Sequence, residues 1–258
     1  MYKQLLVSDL DGTLLNEHHQ ISVENKKAIQ AFTEKGGLFT IATGRMLSAA
    51  LPYIQELDLK VPVILGNGTQ IYCPKQQRLL QSHTITSHRN KIDQIWNTHS
   101  DRGVVLAYIN DQIYTPNRNG LISTYEDKEN VTCIVSDTVP LQMNKLLVIG
   151  EQIHDAVQMV GELLKVCIQS DTTYLELLPF GVSKGSALQE LRRLLGHDIQ
   201  RIISVGDQLN DLSLFEASDC GYAVENAHTD LKRVASYITK HHRDHAIAAV
   251  ISEDTALI

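Results

Sequence analysis

Tyr2-Lys3-Gln4-Leu5-Leu6-Val7-Ser8-Asp9-Leu10-Asp11-Gly12-Thr13 opens on a short apolar run and breaks into two acids, a glycine and a threonine. The run from Tyr2 to Ser8, centred on Leu5-Leu6-Val7, predicts a buried strand. Two aspartates one residue apart are ordinarily a solvated turn. These two stand where a buried strand meets a glycine turn, the place where ligands gather in open α/β sheets. Asp9 and Asp11 are therefore candidate functional groups. A calcium loop counted from Asp9 fails. An EF-hand needs an oxygen ligand at its fifth position, glycine at its sixth and glutamate at its twelfth, and Thr13, Leu14 and Gln20 stand there.

Downstream, the rhythm of the first third is regular. Ser22 can cap a helix to about Lys35, with Ala28, Ile29, Ala31 and Phe32 on its inner face and Gly36-Gly37 ending it. Leu38 to Thr43 predicts a second strand, Met46 to Leu57 a second helix, and Pro62 to Leu65 a third strand stopped by Gly66-Asn67-Gly68. The last third repeats this: a helix from Ser186 to Leu195, with Leu188, Leu191, Leu194 and Leu195 at helical spacing, then a strand from Arg201 to Val205. A short helix over Asp211 to Ala217, a strand over Gly221 to Val224, a helix near Thr229 to Ala235 and a strand from Tyr237 to Thr239 follow. Near-continuous apolar strands alternating with helices predict a parallel α/β sheet.

The middle has another character. Thr69 to Tyr72 and Arg78 to Ser82 predict a hairpin, and a helix lies around Ile92, Ile95 and Trp96. Val104 to Ile109 and Gln112 to Tyr114 flank an Asn110-Asp111 turn, an antiparallel signal. Lys145 to Ile149, a helix from Ile153 to Lys165, Val166 to Ser170 and Tyr174 to Leu178 complete it. The expected architecture is α/β: a parallel-sheet core of residues 1–81 and 182–258, interrupted by an inserted α+β domain of residues 82–181.

A second acidic cluster, Gly206-Asp207-Gln208-Leu209-Asn210-Asp211, follows the predicted strand ending at Val205 and can meet Asp9 at the same sheet edge. Thr43-Gly44-Arg45 closes one strand and opens a helix, offering a hydroxyl, a glycine amide and a helix N-terminus to phosphoryl oxygens. Lys184 stands just before the Ser186 helix and can supply positive charge if it points inward. A carboxylate that attacks a phosphate dianion meets strong repulsion, so such a site must gather cations. Magnesium suits it, since it takes a few hard oxygen ligands and keeps several waters.

Taken in order, these stations resemble the haloacid dehalogenase-like hydrolase superfamily, and the insert resembles the type IIB cap of its Cof-type phosphatases. The resemblance implies a Rossmann-like core carrying a cap that closes over the crevice, and a magnesium-dependent phosphatase acting through an aspartyl-phosphate. By the same resemblance Asp9 is the nucleophile and Asp11 the general acid. Thr43, Gly44, Lys184, Asn210 and the Leu10 backbone hold phosphate. Magnesium sits on Asp9, the Asp11 backbone carbonyl and Asp207, with Asp211 in support. Two departures stand out: Gln208 occupies the third place of a motif that often reads Gly-Asp-Asn, and Asp244-His245-Ala246-Ile247-Ala248 replaces the family's Asp-Gly-Val-Ala.

Two other classes compete. Gly181-Val182-Ser183-Lys184-Gly185 fits a serine-esterase elbow, with Asp207 and His228 or His245 in the right chain order. A non-catalytic ligand-binding protein on the same scaffold is the other. Pro179-Phe180 interrupts the approach to the elbow, and the esterase reading leaves Asp9-Leu10-Asp11-Gly12-Thr13 unexplained. The two loop aspartates, Lys184 and the second acidic cluster argue against the non-catalytic protein. His241-His242-Arg243-Asp244-His245 lacks a zinc pattern and predicts a polar loop, as does His18-His19.

Composition bounds the partners. The 258 residues are 43% apolar, enough for a sizeable core, and the net charge of −7 argues against a nucleic-acid surface. Apolar stretches of four or five residues fall short of a membrane span. The start of the chain has no secretory pattern, so the expected address is cytoplasmic, with Cys73, Cys133, Cys167 and Cys220 reduced and the Asn67 and Asn130 sequons chance matches. The expected partner is a small phosphorylated metabolite, with no nucleic acid or membrane, and the expected state a monomer or weak homodimer.

Overall fold

A computed structural model describes residues 3–97, 103–129, 131–150, 167–171, 174–196 and 199–253. The chain divides into two compact units, Met1–Gln81 with Ser183–Ile258, and Ser82–Val182.

The first unit is built on a five-stranded sheet whose spatial order is Tyr237–Ile238, Cys220–Ala223, Ile199–Gly206, Lys3–Ser8, Leu38–Ile41. Every pairing in it is parallel. Leu5, Leu6 and Val7 are fully buried, as a central strand covered on both faces requires. Register places Ser8 opposite Val205 and Ile41. The chain segments leaving the central strands therefore emerge side by side at one sheet edge.

Helices cover the sheet where local signals predict them. Ser22 caps Val23–Glu34, its side chain accepting from the Asn25 amide, a cap that contributes about 1 kcal/mol. The inner face is Asn25, Ile29 and Phe32; Ala31 is exposed and Ala28 only half-buried, which corrects the predicted stripe. Asn25, Ile29 and Phe32 fall at i, i+4 and i+7, and Ala31 lies off that face. The helix expected from Ser186 starts two residues earlier, at Lys184, because Ser183 and Ser186 form a reciprocal capping box. Leu194 near its end is 48% exposed, outside the predicted core.

The third predicted strand departs from expectation. Val63–Leu65 does not extend the parallel sheet; it pairs antiparallel with Gln70–Cys73, and with Arg78–Ser82 forms a separate three-stranded sheet. A single parallel bridge, Ala42 with Ile64, and the Thr43 amide donating to the Ile64 carbonyl (3.0 Å) link it to the main sheet. The hairpin partner takes up hydrogen bonds that a longer parallel ladder would need.

The second unit carries a six-stranded sheet ordered Cys167–Asp171, Tyr174–Leu177, Lys145–Gly150, Gly103–Ile109, Gln112–Thr115, Cys133–Val135. Four of its five pairings are antiparallel and the last is parallel. One face packs Val105, Ala107, Leu146, Val148, Leu175 and Leu177 against Ile92, Ile95 and Trp96 of helix Arg89–Asn97. Helix Gly120–Glu129 and strand Cys133–Val135 go beyond the sequence expectation; the helix is polar and only Asn119, whose Oδ1 accepts from the Ile122 amide (3.0 Å), signals its start. The helix expected over Ile153 to Lys165 lies outside the described residues. Among those described, no helix is long and apolar enough to cross a membrane.

Candidate active site

Asp9 follows the last residue of the first strand, with its amide donating to the Val205 carbonyl (2.9 Å). The chain then makes one wide turn, Leu10 to Leu14, closed by the Leu15 amide on the Leu10 carbonyl (2.9 Å). Gly12 carries φ 72° within it. A Cβ there would collide with the Asp207 carboxylate, so the glycine serves both the backbone angle and the approach of the second acidic loop. Thr13 Oγ1 donates to Asp207 Oδ1 (3.0 Å) across 194 residues of chain. Leu10 points its side chain into the core.

The second loop is organised by Asp211. Its Oδ2 accepts from the amides of Asp207 (2.9 Å) and Gln208 (3.1 Å). Gly206 lets it fold that tightly, because a Cβ at Gly206 would lie 2.5 Å from the Asp211 carboxyl carbon. Gln208, the residue that departs from the family pattern, caps the Leu209–Asp211 turn together with Asp211.

Lys184 lies between the loops. It is fully buried, and its Nζ stands 2.8 Å from Asp9 Oδ1 and 2.7 Å from Asp211 Oδ1. It therefore occupies the first turn of its helix, pointing inward, where a lysine is ordinarily solvated. Gly68 permits this: a Cβ there would overlap the Ser183 carbonyl.

Carboxylate oxygens of Asp9, Asp207 and Asp211 all lie within 4.8 Å of one another, and all three residues are buried. Burial, more than any other cause, pushes Asp9 up to about 7; Lys184 pulls it down, and Asp211 and Asp11 push it up. Asp207 is likewise raised well above the usual carboxylate range, by burial and then by the charges of Asp9 and Asp211. Burial alone would lower Lys184, but Asp211 and Asp9 outweigh it and hold the ammonium above its ordinary value. Three packed hard-oxygen acids with one lysine fit a small divalent cation. Asp9, Asp207 and Asp211 would hold it.

Asp11 behaves differently. Arg45 grips both its oxygens, and His19 Nδ1 lies 3.4 Å from Oδ1. Burial pushes Asp11 up, but the hydrogen bonds and charge of Arg45, with His19, hold it below the usual range. His19 lies in an exposed loop, as expected, and that loop brings its ring beside an acid of the site.

Of the phosphate candidates, Thr43 is buried and its Oγ1 accepts from the Arg45 amide (3.1 Å). Gly44 packs against the Asn67 carboxamide, and Asn210 Nδ2 donates to Asn67 Oδ1 (3.0 Å). Sequence pattern does not single out Asn67, because a residue inside Gly-Asn-Gly reads as a plain turn. Nor does it single out Asn226, whose Nδ2 donates to the Gly12 carbonyl (2.8 Å) and whose Oδ1 accepts from the His242 amide (3.0 Å). His242 Nδ1 in turn lies 2.7 Å from the Leu15 carbonyl. The segment before Asp244 thus braces the Asp9 loop despite its unusual sequence.

The esterase reading fails on geometry. Ser183 Oγ is a helix cap, accepting from the Ser186 amide (3.1 Å). His228 Nδ1 accepts from the Asp230 amide (3.2 Å), and His245 Nδ1 lies 3.5 Å from Glu24. His241 caps the His242–Asp244 turn, which accounts for the histidine cluster as a polar loop. Cys73, Cys133 and Cys220 are free and buried.

Comparison with known proteins agrees with this picture. A family model described as haloacid dehalogenase-like hydrolase matches residues 6–251. The Bacillus subtilis 5-amino-6-(5-phospho-D-ribitylamino)uracil phosphatase YcsE is 28% identical over 96% of this chain and 94% of its own length. The crystal structure of TM0651 from Thermotoga maritima superposes with a TM-score of 0.82 at 29% identity, covering 99% of this chain and 98% of its own. A subclass IIB sugar phosphatase, BT4131, shares the fold at TM-score 0.83 and 20% identity over 99% of this chain and 100% of its own. Family match and relatives together support a phosphatase, and the chain belongs to the haloacid dehalogenase-like hydrolases.

Proposed function

We propose that the chain is a cytoplasmic, magnesium-dependent phosphatase that hydrolyses a small phosphorylated metabolite, a sugar phosphate or a phosphorylated cofactor, with Asp9 as nucleophile. One observation carries this reading: buried Asp9, Asp207 and Asp211 converge on one point beside the Lys184 ammonium. YcsE and BT4131 are named for small phosphate esters, which supports the substrate class.

Magnesium, when bound, would supply positive charge against the phosphoryl oxygens and the Asp9 carboxylate. The chain's own residues do the rest. Lys184 favours the ionised form of Asp9 and offers charge to phosphate. An Asp9 oxygen bonds to phosphorus as the ester P–O bond breaks, and the Asp11 carboxyl gives its proton to the departing oxygen. Asp11 then takes a proton from water, which attacks phosphorus and returns Asp9. Thr43, Gly44, Asn210 and the Leu10 backbone hold phosphoryl oxygens meanwhile. Residues 1–81 with 182–258 serve as the catalytic core and 82–181 as the cap.

A panel of metabolite phosphate esters assayed with and without magnesium tests this. Magnesium-dependent phosphate release, lost in Asp9→Asn, is the expected result. Absence of release from every ester would end the reading.

A further inference from the structure

The wide turn from Leu10 to Leu14, which follows Asp9 and contains Asp11, is not a regular helix. Asp11 (ψ 126°) and Gly12 (φ 72°) leave helical geometry inside it, so a repeating hydrogen-bond ladder does not fix the backbone there. Carbonyls along and just past the turn are instead met by side chains from distant parts of the same unit. Asn226 Nδ2 donates to the Gly12 carbonyl (2.8 Å) and Asn25 Nδ2 to the Leu14 carbonyl (3.3 Å). His242 Nδ1 lies 2.7 Å from the Leu15 carbonyl.

Each of these contacts has only one workable direction. A carbonyl can only accept, so His242 Nδ1 carries a proton here. Asn226 Oδ1 accepts from the His242 amide (3.0 Å), and Asn25 Oδ1 accepts from the Ala248 amide (3.0 Å). Turned over, either carboxamide would set its oxygen against a carbonyl and its NH2 group against an amide N–H. Their partners therefore fix both orientations. The same bonds tie the turn to the segment from His242 to Ala248, which contains the stretch that departs from the family pattern.

We infer that Asn226 and His242 are positioning residues for phosphoryl transfer: together with Asn25 they hold the turn that sets Asp9 and Asp11 in place. The inference rests on those two acids serving as nucleophile and proton donor in the proposed phosphatase, and adds what fixes their backbone. A displacement of about 1 Å in a reacting group can slow a reaction about a hundredfold. Thr43, Gly44, Lys184 and Asn210 stand on other loops, so phosphate binding should feel a loosened turn far less than the chemical steps do. A merely structural brace would lower stability and leave turnover of the folded protein unchanged.

The test measures magnesium-supported turnover of nitrophenyl phosphate, inhibition by inorganic phosphate, and melting temperature. It compares the wild type with Asn226→Leu, His242→Leu and His242→Asn, with turnover read well below each melting temperature. Leucine keeps much of the bulk of either side chain and gives up its hydrogen bonds. Asparagine at 242 can place an NH2 group near the position of Nδ1 and so keep the donor. Each leucine variant should lower kcat about tenfold, the scale of one net hydrogen bond. KM and the inhibition constant of phosphate should stay within about twofold of wild type, the pattern of an interaction that matters only in the transition state. His242→Asn should recover most of the kcat that His242→Leu loses.

Wild-type kcat in both leucine variants, with only the melting temperature lowered, would overturn the assignment. So would a loss carried by KM and the inhibition constant, or a His242→Asn variant as slow as His242→Leu. If one leucine variant fails to fold, the other decides; if both fail, the brace is structural and the assignment falls. Wild-type protein that neither turns over ester nor binds phosphate would overturn the phosphatase reading itself, before any variant is compared.

Discussion

Arg45 holds Asp11 at both carboxylate oxygens, Nε to Oδ2 at 2.8 Å and Nη2 to Oδ1 at 2.6 Å. A carboxylate gripped this way is a poor proton donor, because the guanidinium stabilises the ionised form. The proposed acid must loosen this pair in order to serve a leaving group. Arg45→Gln should raise the Asp11 pKa and so keep more of it protonated at any given pH. The alkaline limb of kcat/KM for an alkyl phosphate should then move to higher pH. A limb that stays in place would show that Arg45 does not govern the acid.

Asp9→Asn should lower turnover by about a thousandfold or more, the scale of losing a covalent nucleophile. Folding should survive, because an amide fits the same space. Phosphate release and a melting curve measured together check both halves. Near-wild-type release would remove Asp9 from the chemistry.

Raised carboxyl pKa values make a prediction about stability. Asp9 goes from an ordinary 3.8 to about 7 when folded, and Asp207 also rises. Below the unfolded value both states hold the proton, and the contribution of these groups is fully present. As pH climbs toward about 7, the unfolded chain ionises freely while the buried pair resists, so stability is lost. The depressed Asp11 works in the opposite sense: its contribution is present above its ordinary pKa and disappears as acid is added below it. Metal-free protein should therefore melt lower at about pH 8 than at about pH 5. Magnesium should raise the melting temperature more at the higher pH, where the acids have no protons to give up. Equal magnesium effects at the two pH values, or an unchanged effect in Asp207→Asn, would contradict the metal assignment.

Gly12→Ala tests the approach of the two loops. Its φ of 72° alone costs alanine about 1–2 kcal/mol, and the added methyl would displace the Asp207 carboxylate. A drop of several degrees in melting temperature is expected, with a larger proportional loss of the magnesium response. A variant with wild-type magnesium affinity would show that Asp207 has room to move.

Much of this site is legible locally. The Leu5-Leu6-Val7 run followed by Asp9 and Asp11, and the Val205 strand followed by Asp207, both mark strand ends by short-range pattern alone. Ser22 marks a helix start for the same reason. The polar helix Gly120–Glu129 escapes notice because its apolar residues follow no steady period, and Leu121 is 41% exposed. Ser183 misleads in another way: a serine between glycines suggests an elbow, yet its hydroxyl is consumed by a helix cap.

Sequence alone determined which residue types stand at which strand ends, because capping, turn chemistry and apolar runs act over a few neighbouring residues. Only tertiary structure decided that Lys184 would be sealed between Asp9 and Asp211, that Arg45 would clamp Asp11, and that Asn67 would meet Asn210 across 143 residues. Those meetings depend on parallel register, and on glycines that let distant backbones come within contact distance. Neither can be counted along the chain.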